Sequence, residues 1–174
     1  MILKAIDLGL MAEHLTTHKG VLKKLMYYYH AGQNAMLKQI IYKQFLIMCN
    51  HVQVMILLID PKYNETVSVS ALKQIESIEL PHRTVTFQMG DKNILVEARH
   101  TAQSMALDNF SSALKMKTSN VKQIHIEMAL QQIQLQEQYS ELGKTLGIDY
   151  SPDTSLEIQI KTLEHFKKLF HMKS

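Results

Sequence analysis

Four side chains in this sequence combine metal-ligating chemistry with a spacing that could gather them: His14, His51, Glu97 and His100. Glu97 and His100 are three positions apart, so on a helix both can address one ion. His14 lies 18 residues before Gly32, His51 lies 19 after it, and His100 lies 18 before Thr118. At about 1.5 Å of rise per helical residue, these positions share one depth in a bundle, near the end away from the hairpin loops. Three imidazoles around one zinc-like ion is reasonable coordination chemistry. The competing reading makes the same histidines edge residues or satisfied polar groups of a core, since depth alone does not fix where a side chain points. The expectation is therefore no metal and no cofactor, with these four residues as the candidates should a site exist.

A di-iron centre is a sharper test. Bundles that hold one use a Glu from each of two helices and Glu-x-x-His from each of the other two. Glu13 and Glu97 are of the right type, but Met48 stands three residues before His51 where a Glu is needed, and no His occurs between Ile126 and Leu146. The ordinary site is absent, which predicts no oxidation of ferrous iron. No Gly-rich phosphate loop, Gly-x-Ser-x-Gly, Cys-x-x-Cys or His-Glu-x-x-His is present either. Cys49 reads as a packed hydrophobe, Lys23-Lys24 and Lys167-Lys168 as solvated faces, and the 11 Met as core fillers. Nothing points to an enzyme.

The elements that must position these residues are helices. Leu8, Met11, Leu15, His18, Leu22, Leu25 and Tyr29 recur at steps of three and four. Gly32 can close that helix in a left-handed turn and Asn34 can cap the next. The second stripe is Leu37, Ile41, Gln44, Met48, His51, Met55 and Leu58, and it stops at Asp60-Pro61. Residues 60–92 read as a crossover, with short extended pieces at Val67–Ser70 and Thr84–Phe87. Val96, His100, Gln103, Leu107, Phe110 and Leu114 form a third stripe, capped by Asp91 or Asn93. Asn120 with Gln123 resembles a capping box for a fourth, carrying Val121, Ile124, Met128, Leu135, Tyr139, Leu142 and Leu146 up to Gly147. Thr154-Ser155-Leu156-Glu157 opens a fifth, with Ile160, Leu163, Phe166 and Phe170 on one side.

Two antiparallel hairpins, about 3–59 and 93–147, joined by a long crossover give an all-α, ferritin-like up-down four-helix bundle with an extra C-terminal helix at about 154–171. Chain length supports one domain over 1–174. An offset of 84 positions lays Glu13 on Glu97, Thr17 on Thr101 and Leu37–Ile40 on Val121–Ile124, a faint internal repeat. The balance of 19 basic against 16 acidic residues gives no reason to expect nucleic acid, and one cysteine excludes an internal disulfide. Val52–Ile59 is too short to span a bilayer and the N-terminus does not read as a targeting peptide, so a soluble protein kept in the cell is expected.

The run from Gln39 to Met55 (Gln-Ile-Ile-Tyr-Lys-Gln-Phe-Leu-Ile-Met-Cys-Asn-His-Val-Gln-Val-Met) resembles the second helix of the spore coat protein F family of endospore-forming bacteria. Ala113–Pro152, with Gln131-Gln-Ile-Gln-Leu-Gln-Glu137 and the closing Gly147-Ile-Asp-Tyr-Ser-Pro152, resembles that family's repeating unit. The resemblance covers about two thirds of the chain and carries no catalytic motif. It implies a ferritin-like helical fold and a non-catalytic place in the spore coat, reached after synthesis in the cytoplasm. The partners it implies are other coat proteins or a second copy. The alternative from the residues is a metal-binding protein or enzyme using the degenerate histidine and glutamate site. With no chemistry, contact area has to come from surfaces. An outward part of Tyr27–Tyr29 is expected to make a homodimer, and the last helix to dock on its own bundle.

Overall fold

In a computed structural model, the structure describes residues 1–81 and 89–171, and five α-helices carry the fold. They are α1 (Ala5–Ala31), α2 (Ala35–Ile59), α3 (Asp91–Lys115), α4 (Ser119–Thr145) and α5 (Leu156–Leu169). A 3₁₀ turn, Val69–Lys73, lies in the crossover where an extended piece was expected at Val67–Ser70. The other expected extended piece, Thr84–Phe87, falls outside the described residues.

Two carboxylates, Asp7 buried and Asp91 half-buried, fix how the hairpins are stacked. Asp7, near the start of α1, accepts from the Lys117 and Thr118 backbone N–H groups at 2.8 and 2.9 Å and from the Thr118 hydroxyl at 2.5 Å. Asp91, at the start of α3, accepts from the Gln33 and Asn34 N–H groups at 2.8 and 3.0 Å. Each aspartate thus satisfies amides that the opposite hairpin loop would otherwise leave unpaired. The α1–α2 loop therefore lies at the end where α3 begins, and the α3–α4 loop lies at the end where α1 begins. The helices run up, down, down and up, and the crossover spans the length of the bundle.

The faint repeat becomes an architecture at the same offset. Moving Ala31 and Ala35 by 84 positions lands on Lys115 and Ser119, the end of α3 and the start of α4. Asp7 moves onto Asp91, and its partners Lys117 and Thr118 are the images of Gln33 and Asn34. Buried Met11, His14, His18 and Val21 fall on buried Leu95, Ala98, Ala102 and Met105.

The core has two apolar clusters. One, towards the α1–α2 loop, includes Leu25, Ile41, Phe45, Ala98, Ala102 and Tyr139. The other, towards the α3–α4 loop, includes Met11, Met55, Leu58, Val121 and Met128. Every member of the expected α2 stripe is buried. The expected α3 stripe is not. Its inner face is instead Ala98, Ala102, Ala106 and Ala113 with Ile94, Leu95 and Met105. Small side chains let α3 approach α4, its closest neighbour, and the large residues of the stripe are left outside.

Several helix ends also differ from expectation. Gly32 sits at φ −67°, not in the left-handed region, because Asp91 holds the turn. Thr118 rather than Asn120 precedes α4, and Asn120 instead donates to the Val67 carbonyl. Asn34 caps α2 as expected, while Ser155, not Thr154, caps α5. Gly147 does take φ +66°, the left-handed geometry that ends α4 without a Cβ clash. By length and composition α2 could cross a membrane, but 11 of its residues are buried in this bundle.

Candidate functional site

The four expected ligands do not meet. His14 and His51 are buried in the half near the α3–α4 loop, while Glu97 and His100 are exposed on the outside of α3. The cause is the hairpin order. With the two loops at opposite ends, His100 lies nine residues from one end of α3 and His14 seventeen from the same end of the bundle. That separates them by about 12 Å along the axis. Among the described residues, no three His, Cys, Asp or Glu side chains form a group that could hold an ion.

What the structure brings together is a different set. His14, His18, His51 and His125 form a buried chain of rings, with centroids 5.3 Å apart for His14–His125, 6.2 Å for His14–His18 and 5.8 Å for His18–His51. One nitrogen of each is held. His18 Nδ1 donates to the His14 carbonyl at 2.7 Å and His125 Nδ1 to the Val121 carbonyl at 2.9 Å. His51 Nε2 donates to Gln131 Oε1 at 2.8 Å, while the Gln131 amide donates to the Leu72 carbonyl. His14 Nε2 shares a hydrogen bond with the Ser112 hydroxyl at 2.8 Å. The second nitrogen of each ring is buried without a protein partner.

Burial lowers all four pKa values, to about 4 for His18, about 3 for His51 and about 4 for His125. Desolvation of the cation is the main cause, and the rings also repel one another's charge. Opposing this, Asp7 favours the His125 cation, and Asp108 and Glu13 favour that of His14. Burial also raises the Asp7 carboxyl, but the Thr118 hydroxyl and the two backbone N–H groups outweigh it and leave the pKa lowered. His18 and His125 were missed as a set for plain reasons. His18 reads as one more member of the α1 stripe, and His125 lies one residue before the His-free segment.

His14 also lines a cleft of about 280 Å³ between α1 and α3, with Glu13, Thr17, Asp108, Ser112 and Lys115. The Ser112–His14 contact has the form of a nucleophile and base. Yet Ser112 lies inside a continuous helix whose amides are spent on its own ladder, so none is turned towards Ser112 as an oxyanion donor.

The outer surfaces contain the larger anomaly. On α3, Leu107 and Leu114 are 63% and 76% exposed, and with Val96, Phe110, Leu130 and Ile133 they make an exposed apolar face across α3 and α4. Between the two helices lies a cleft of about 340 Å³ lined by Gln103, Ala106, Leu107, Phe110, Ile133 and Gln136. Helix α5 has no buried residue, so the expected docking on its own bundle does not occur. Its Leu156, Ile160, Leu163, Phe166 and Phe170 all stand exposed. The tyrosines are less available than expected. Tyr28 is buried, Tyr27 packs edge-on against it, and Tyr29 packs on Tyr42 and under the Lys38 ammonium.

The fold and these surfaces define an all-α bundle with an unpartnered outer face. No protein-family model and no curated protein matches the sequence. Among solved structures, the chain is similar to that of a "putative spore coat protein" from Bacillus halodurans, at 11% identity and a TM-score of 0.57. The match covers 89% of this chain and 96% of that one, so the likeness is one of fold and extends over nearly the whole chain.

Proposed function

We propose that this protein is a structural component of the spore coat of an endospore-forming bacterium, acting through contact with other chains and not through catalysis. The observation that carries the reading is the shared bundle of the Bacillus halodurans protein. The uncovered apolar surface on α3, α4 and α5 supports it, since large exposed apolar patches mark sites of association. The metal-binding alternative loses support, because Glu97 and His100 lie outside the bundle and away from His14 and His51. The test is location. In sporulating cells of the source organism, a fluorescent fusion should ring the forespore, and chemical removal of the coat should release the native protein. A signal spread through the vegetative cytosol, or a protein retained in fully decoated spores, would contradict it.

A further inference from the structure

We propose that α5 of one chain seats on the α3/α4 face of a second copy, and that the exchange is reciprocal. The proposal rests on the assembly reading and names its partner. Both surfaces belong to the same chain, and both are bare. The stripe from Val96 to Leu114 runs about 27 Å along α3, and the 14 residues of α5 run about 21 Å, so the helix fits the face lengthwise.

Their chemistry matches as well. The cleft between α3 and α4 is lined by neutral side chains only. Lys167 falls beside Ile160 and Leu163 but is paired with Glu164 at 3.3 Å, and on the other side of α5 Lys161 is paired with Glu157 at 2.7 Å. Docking would therefore bury no unpaired charge. With three Lys against two Glu, α5 has only a slight basic excess, less than the Lys- and Arg-rich polar face of helices that lie on anionic membranes.

The exposed area is sufficient for a second copy. The chain exposes 11152 Å², whereas a compact monomer of 20.0 kDa exposes about 8,700 Å². The excess of about 2,500 Å² is larger than the roughly 800 Å² each partner loses in a standard interface, leaving room for two symmetry-related contacts. Asp149 is held by Arg99, so residues 150–155 give α5 a reach of up to about 20 Å towards a neighbour. They also reach the chain's own bundle, yet α5 stands off it. A two-fold exchange closes on itself as a dimer.

Sedimentation velocity of the full chain at about 10 μM tests this, using Phe166→Asp on α5 and Leu107→Asp on α3. Both side chains are exposed, so each variant should keep its helical circular dichroism. The wild type should run as a dimer, and each variant alone should weaken dimerisation by about 100-fold, as loss of an apolar anchor does. Mixing the two variants should restore a heterodimer, because one intact α5 then meets one intact face. A monomeric wild type, a variant that stays fully dimeric, or a mixture that stays monomeric overturns the proposal. So does a monomer that both substitutions destabilise to heat, which would mean docking within one chain, or one captured by anionic vesicles. None of these outcomes changes where the protein sits in the spore, so this proposal and the coat reading fail separately.

Discussion

The two hairpins repeat one scaffold but assign its faces to opposite chemistry. On the inward face of α1 stand His14 and His18, and at the matching positions of α3 stand Ala98 and Ala102. His125 and His51 correspond in the same way to buried Ile41 and Leu135. Outside, the order reverses. The α1 residues matching His100, Gln103 and Leu107 are exposed Thr16, Lys19 and Lys23. The lesson is that the two halves share reciprocal aspartate clamps and helix lengths while their faces differ. Within that shared frame, one half of the core became titratable and one outer face became apolar.

The largest expected effect follows from the core. Above about pH 6.5 the four histidines are neutral whether the chain is folded or not, so their contribution to stability is fully present. As pH falls towards 4 the unfolded chain takes up protons that His18, His51 and His125 refuse in the fold. Each imidazole left behind costs on the order of 3 kcal/mol, and a domain has only about 5–15 kcal/mol to lose. Thermal melts by circular dichroism should show a steep loss of stability between pH 6 and pH 4. His51→Leu, which copies Leu135 in the other half, should flatten that slope. An unchanged melting temperature over this range would refute the titratable core.

The clamps come next. Asp7 is fully buried with three donors and Asp91 is half-buried with two. Asp7→Ala strands buried amides and should cost about 3 kcal/mol in urea unfolding, against about 1 kcal/mol for Asp91→Ala. Equal costs would show that burial does not distinguish the two ends. Similar in size to Asp91→Ala is Gly143→Ala. The first half has Ile59 at the matching position, but a Cβ on Gly143 would come within 2.8 Å of the Asp149 carboxylate, which is paired with Arg99. About 1 kcal/mol of destabilisation is expected in the same assay, from a local shift of that pair.

Much of this frame was legible from periodicity, but only where large apolar residues make the inner face. The α2 stripe from Leu37 to Leu58 reads correctly for that reason. In α3 the inner face is built of alanines, so a search for bulky residues selects Val96, Leu107, Phe110 and Leu114, which face outward. The relative direction of the hairpins could not be read, since a crossover of this length permits either. That one unknown put His100 level with His14 on paper and on the opposite half in space. His125 was legible as a residue but not as a neighbour of His14, because the contact needs the hairpin order first.

The matched pair Lys23 and Leu107 tests the contrast between the two outer faces most directly. They occupy the same place in the repeat, 84 positions apart, and both are exposed. Lys23→Asp and Leu107→Asp, compared by sedimentation velocity at equal concentration, should differ completely. The α1 variant should remain dimeric like the wild type and the α3 variant should become monomeric. If both variants sediment alike, the α3 face is ordinary surface and the division of roles between the two halves is wrong.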